Sequence, residues 1–199
     1  MRSTAKSRKK QTKEDMLIKN HKTYTDFFKL MAVHHVEIGH TQEEIHFVRM
    51  NLSAHPVLAR EDIKEFLKSI RSRLHFPALL LNTYQAKADA QDSYDAKRKV
   101  IQGEFFILDR VKKEDWDDQD AVFDATEAIG TDILAFLGEY YEANEHEGYF
   151  EWNDSMMEKI SNLEIDNLAG TKFYFTISIP NEVALQLNPD RFGPELFEL

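Results

Sequence analysis

Cysteine is missing from all 199 residues, which excludes disulfides, thiolate nucleophiles and Cys-based zinc sites together. Glycine is scarce: the seven present form neither GxxxxGK(S/T) nor GxGxxG, so no glycine-rich phosphate cradle is expected. No apolar run approaches the length of a membrane span, and no apolar core follows the basic N-terminus as it would in a secretory signal. No serine sits in a GxSxG elbow. These absences fit synthesis in a cytoplasm and favour a protein that works by its shape.

What is there is a globular composition, 42% hydrophobic and 12% aromatic with 14 phenylalanines, enough for one core and one domain. Charge is split along the chain. Residues 1–13 hold Arg2, Lys6, Arg8, Lys9, Lys10 and Lys13 and no acid, a charge of +6, so the other residues must sum to −16 to give the net −10. An acidic body with a short basic arm suits one local contact with DNA or an acidic neighbour better than general nucleic-acid binding.

Periodicity orders the elements. Thr12 and Asp15 resemble a capping box opening a helix whose face is Leu17, Tyr24, Phe28 and Met31, fading at Val36–Gly39. Residues 45–52 read as a strand. Ile63, Phe66, Leu67, Ile70 and Leu74 form a second helical stripe, with Glu61 and Asp62 in the first turn and Arg71 and Arg73 in the last. Pro77 is expected at the first position of a buried strand, Ala78–Leu81. A polar loop over 85–99 then leads to an apolar strand at 103–111, the two strands forming a hairpin. A third helix follows "EDWDDQD" (114–120), with Val122, Ile129, Ile133, Phe136, Leu137 and Tyr140 inward. Phe173, Phe175, Ile177 and Ile179 alternate with Tyr174, Thr176 and Ser178, as a half-buried strand does. The order implies an α+β fold, a largely antiparallel or mixed sheet packed by about three helices. Residues 1–13 are a basic arm, 14–180 the domain, and 181–199 an extension.

The densest cluster of potential ligands is "HHVEIGHTQEEIH" (34–46). A helical metal site wants histidines at i and i+4, a spacing no histidine pair here has. If extended, His40 and His46 stand roughly 20 Å apart. A folded loop joining His34, His40 and Glu44 is the weaker alternative, a metal-dependent enzyme; a helix end followed by a turn is the simpler reading. "EDWDDQD" lacks the glycine of a calcium loop, so Asp117 and Asp118 read as N-terminal helix charges. The aromatics of "YYEANEHEGYFEW" lie among glutamates that repel phosphate, which favours packing over base stacking.

Residues 181–199, "NEVALQLNPDRFGPELFEL", together with Pro180 carry three of the five prolines. They also hold Val183, Leu185, Leu187, Phe192, Leu196, Phe197 and Leu199, seven large apolar side chains unlikely to stay in water. They either pack on their own domain or reach a neighbour as subunit-interface residues.

The succession "HFPALLLNTYQA", "KRKVIQGEFFILDRV", "DQDAVFDATEAIGTDILAFLGEYYE" and "NLAGTKFYFTISIPN" across 75–180, with "HTQEEIHFVRMNL" upstream, resembles small phage and prophage proteins of the tail end or head–tail neck. The resemblance implies a tail-terminator or neck-type virion subunit. It would form a homo-oligomeric ring, often of six copies, against tail tube and portal or neck proteins, with no catalytic residues and no cofactor. The basic arm and the extension depart from that compact pattern. A host-side adaptor docking through its apolar tail is a further alternative.

Overall fold

The computed structural model describes residues 17–53, 55–70, 72–90, 97–146, 148–163 and 167–180. It holds three helices and a seven-stranded mixed sheet, as the α+β reading expects. The basic-arm candidates, the C-terminal interface candidates and the Thr12–Asp15 box lie outside the described residues.

Helix α1, His21–His34, starts later than expected. Asn20 caps it: its side chain accepts from the Thr23 N–H, while the Thr23 hydroxyl accepts from the Asn20 N–H. Leu17 and Ile18 are buried ahead of the helix, so Leu17 belongs to the core without belonging to the helical face. Strand β1, Ile45–Met50, is followed by α2, Pro56–Ile70. Because α2 begins at Pro56 and stops at Ile70, Glu61 and Asp62 fall beyond its first turn and Arg73 beyond its end. Leu74 opens β2, Leu74–Asn82.

Pro77 lies inside β2. The pairing of β1 with β2 shifts there, Ile45 facing Leu74 and Phe47 facing Leu79, so the proline falls where the ladder is already interrupted. The expected loop at 85–99 is mostly strand: β3, Gln85–Ala90, pairs with residues 97–102 of β4, Lys97–Arg110. Polar side chains along an exposed hairpin removed the apolar signal without removing the ladder.

Helix α3, Trp116–Glu142, is capped by Asp115, with Asp117 and Asp118 in its first turn as expected. Ile129, Ile133, Leu137 and Tyr140 face inward, but Phe136 is exposed and Leu134 takes an inward place. Two short strands that periodicity did not show, β5 (Tyr149–Phe150) and β6 (Met156–Leu163), precede β7, Leu168–Pro180.

The sheet order is β1-β2-β4-β7-β5, with β3 also on β4 and β6 also on β7. Since β2 and β3 pair with successive stretches of β4, and β5 and β6 with successive stretches of β7, the sheet has five lanes. β1 and β2 are parallel and the other pairs antiparallel; α2 crosses between the parallel two. One sheet face is covered by α1 and α3, its core running from Tyr24 and Phe28 through Phe105, Phe173 and Phe175 to Ile133 and Leu137. The other face carries α2, which buries Met50, Ala78, Leu80, Phe106, Leu108 and Leu168 through Ile63 and Leu67.

Candidate functional site

Beside α2 the second sheet face turns polar and floors a cleft of about 1000 Å³. Strand alternation sets its floor. With Phe105, Phe173 and Phe175 committed to the opposite core, Gln102 and Glu104 of β4 and Lys172, Tyr174 and Thr176 of β7 must point this way. Asn82, at the end of β2, and Glu158, on β6, complete the row. The β1–α2 loop and Ala59 and Ile63 of α2 form one wall.

The charges in this row are tied together across four strands. Lys172 Nζ lies 2.6 Å from a Glu104 carboxylate oxygen, both side chains less than one-fifth exposed. Asn82 Nδ2 donates to the same carboxylate, and its Oδ1 accepts from the Leu52 N–H at 2.9 Å, fastening the loop wall to the floor. The ammonium lies over the Tyr174 ring, 4.3 Å from its centroid, and 5.0 Å from that of Phe106. The Tyr174 hydroxyl donates to Glu158 at 3.1 Å.

Burial alone would pull the Lys172 ammonium down, but its contacts with Glu104 and Tyr174 hold it above the usual lysine value. Burial pushes the Tyr174 phenol up, and Glu158 adds to the push while Lys172 opposes it. At neutral pH the amine is therefore charged and the phenol protonated. In these protonation states neither is primed as a nucleophile or general base. Fixed charges with satisfied partners suit recognition of a complementary surface.

The histidine-rich segment lies elsewhere, in the turn after α1. His34 is exposed at the end of α1, and Glu44 is exposed in a tight turn where its N–H donates to Thr41 Oγ1. His40 is half-buried, its Nδ1 accepting from the His46 N–H at 3.2 Å, and His46 Nδ1 donates to the Pro77 carbonyl at 2.9 Å. His35 faces Asp132 of α3 at 3.6 Å. Among the described residues no group of three His, Asp or Glu side chains is placed to hold a metal ion. In "EDWDDQD", Asp115 is the cap of α3 and Asp118 pairs with Lys112 at 2.9 Å.

His40 carries a testable consequence. Burial lowers its pKa, Lys29 lowers it further, and protonating Nδ1 would break the bond from His46. The unfolded chain thus takes up this proton more readily than the folded one. The stabilising contribution is present above the unfolded value of 6.5 and lost as pH falls through the folded pKa. Denaturant midpoints should fall as the pH is taken from about 7 down through the range below 6.5. His40→Asn, whose Oδ1 still accepts from His46, should make that fall shallower; an unchanged slope contradicts the account.

Comparison of the chain with protein-family models, curated proteins and solved structures returns no match.

The cleft residues carried one signal in the sequence. Glu104 interrupts "GEFFILD", and Lys172 is the sole charge in "LAGTKFYFTISIP". Two opposite charges in two strongly apolar strands mark a pair wherever the strands are neighbours, and only the register between β4 and β7 supplies that. Asn82 and Glu158 had no such mark.

Proposed function

We propose that the chain is a non-enzymatic virion structural protein, a tail-terminator or neck-type subunit that assembles with copies of itself into a ring at the end of a phage tail or the head–tail junction. The succession of motifs over 75–180 supports the class. The charge split is the observation that carries self-assembly. Helix α3 holds eight carboxylates and no lysine, arginine or histidine in 27 residues, and Glu139 and Glu142 stand at its C-terminal end, where the helix dipole disfavours anions. Lys112, Lys159 and His35 answer Asp118, Glu127 and Asp132. Among the described residues no ion pair reaches Asp117, Asp120, Asp124 or Glu139.

A body so charged, with a +6 arm at residues 1–13, has two unlike complementary patches. Docking one onto the other in the next copy makes a heterologous interface, the kind that closes into rings. The polar cleft, with its charges already fixed, offers a third and chemically different face for tail-tube or portal neighbours. No helix among the described residues is long and apolar enough to cross a membrane.

Mass photometry of the full chain tests the reading. A discrete oligomer is expected near 0.1 M salt, with its apparent dissociation constant rising on the order of tenfold or more by 1 M as the Debye length shrinks. Replacing Arg8, Lys9 and Lys10 with Gln should flatten that dependence. A chain that stays monomeric at every salt concentration, and is missing from purified particles, overturns the reading; oligomerisation that appears only with added DNA assigns the arm to nucleic acid instead.

A further inference from the structure

We propose that the outer edge of β6 accepts a strand from a second copy of this chain, residues 183–187 of its C-terminal segment. The inference rests on the ring reading and names a second contact between one subunit and the next, beside the charged one. Among the described residues β6 pairs with β7 alone, so its outer row of N–H and C=O groups has no strand beside it. Exposed edges are usually blunted by proline, by a bulge or by outward charge. This one has no proline, its pairing with β7 is irregular only between Ile160 and Leu163, and both its charged side chains are drawn back to their own domain. Lys159 Nζ donates to the Phe123 carbonyl at 2.8 Å and pairs with Glu127, and Glu158 accepts from Tyr174.

The side-chain row over this edge is left unfinished. Leu81, Phe105, Phe173 and Met157 stand opposite one another in successive strands. Their exposures are 2%, 0%, 0% and 47%, so the core runs outward to the last strand and stops on a bare methionine. Trp152, just before β6, is 49% exposed. One further strand with apolar residues on that side would cover Met157 as Met157 covers Phe173.

The segment after β7 has the matching pattern. Val183, Leu185 and Leu187 alternate with Ala184 and Gln186, the period of a strand with one apolar side, and Pro189 ends any ladder two residues later. Five residues match Met156–Ile160, the regularly paired stretch of β6. Only residues 181 and 182 separate Val183 from Pro180, a reach of about 10 Å, so the end of the donor's β7 abuts the acceptor's β6 edge directly. Within one copy, β5 and the turn at 152–154 stand between the end of β7 and the β6 edge, in the same lane. Donation from a second copy avoids that obstruction and gives each subunit one donor and one acceptor patch, as a closed ring requires.

The cysteine-free chain makes the test direct. Full-length Met157→Cys is mixed with full-length single-cysteine variants at each of positions 183 to 187, oxidised, and read on non-reducing gels with mass photometry of the same samples. Disulfide-linked dimers are expected for the one of Val183→Cys, Leu185→Cys and Leu187→Cys that the register sets opposite position 157, with little or none for Ala184→Cys and Gln186→Cys, since a disulfide needs the two Cβ atoms on one face and the Cα atoms within about 7 Å. Adding Leu185→Asp to a linking Val183→Cys or Leu187→Cys donor, or Val183→Asp to a linking Leu185→Cys donor, should cut the yield about tenfold or more. Oligomers that form without any link overturn this contact and leave the ring reading standing. Links without a closed oligomer do the reverse. Internal links in a chain carrying both cysteines, with none between copies, assign the segment to its own β6 and overturn the proposal.

Discussion

Phe173→Ala should cost about 3–5 kcal/mol of stability, read as a lower denaturant midpoint at unchanged slope. The ring is fully buried, stacks on Phe105 at 4.9 Å between centroids and 10° between planes, and joins the sheet to α3. The helix reaches it through Gly130. A β-carbon at that position would lie 2.0 Å from the Phe173 ring, and the stacked Phe105 leaves the ring little room to retreat. Gly130→Ala should therefore destabilise by about 1–3 kcal/mol, although alanine is the better helix former by up to about 1 kcal/mol. In a Phe173→Leu background the obstruction goes and the propensity stays, so the same Gly130→Ala change should turn neutral or stabilising. The two positions lie in contact, where additivity fails, and a change of sign across the cycle is the expected signature. A neutral Gly130→Ala in the wild type would mean that α3 does not sit this close.

What periodicity could and could not show follows from how each segment is buried. α3, β7 and the Ala78–Leu81 stretch were legible because each buries a regular face or is buried on both, and burial writes itself into the spacing of apolar residues. β3 was not: it extends a hairpin past the core, where backbone pairing holds the ladder and Gln85, Lys87 and Asp89 meet little apolar surface. β5 and β6 escaped because two residues show no period and "MMEKISNL" follows neither template cleanly. The start of α1 was misplaced for a related reason. Leu17 extends the apolar spacing of the helix, but Asn20 supplies the cap, and a cap overrules one residue of pattern.

The candidate site was the least visible part because it is made by register. Glu104 and Lys172 are 68 positions apart, and they meet because Phe106 pairs with Lys172 and Glu104 with Tyr174. Local density of ionisable residues pointed instead to 34–46, where the imidazoles serve a turn: one accepts from a neighbouring amide and another holds the Pro77 carbonyl. Density along the chain measures proximity within one segment, whereas a sheet assembles its polar groups across strands. The same logic places the exposed methionine of the outer lane, whose meaning depends on Phe105 and Phe173 lying in line behind it.

Glu104→Ala should cost about 2–3 kcal/mol, at or just below the low end of the cost of breaking a buried pair, because both side chains keep some water contact. The loss comes from the Lys172 ammonium, left against Phe106 and Tyr174 without its carboxylate. The double replacement Glu104→Leu with Lys172→Met removes both charges and fills similar volume, so it should fold as well as the wild type or better by about 1–4 kcal/mol. pH separates the variants further. The folded-state pKa of Lys172 is raised, so its contribution is full below the unfolded value of 10.5 and lost as pH climbs through the higher folded value. Wild-type stability should drop across that alkaline range, and the double variant should lack that part of the drop. If the apolar pair is the more stable choice, the ion pair is kept for something other than holding the domain together. On the proposed virion role the cleft reading then demands a second effect: the double variant, though folded and as oligomeric as the wild type, should join poorly to tail or neck components. Joining at the wild-type level would leave the charged row without a recognition role.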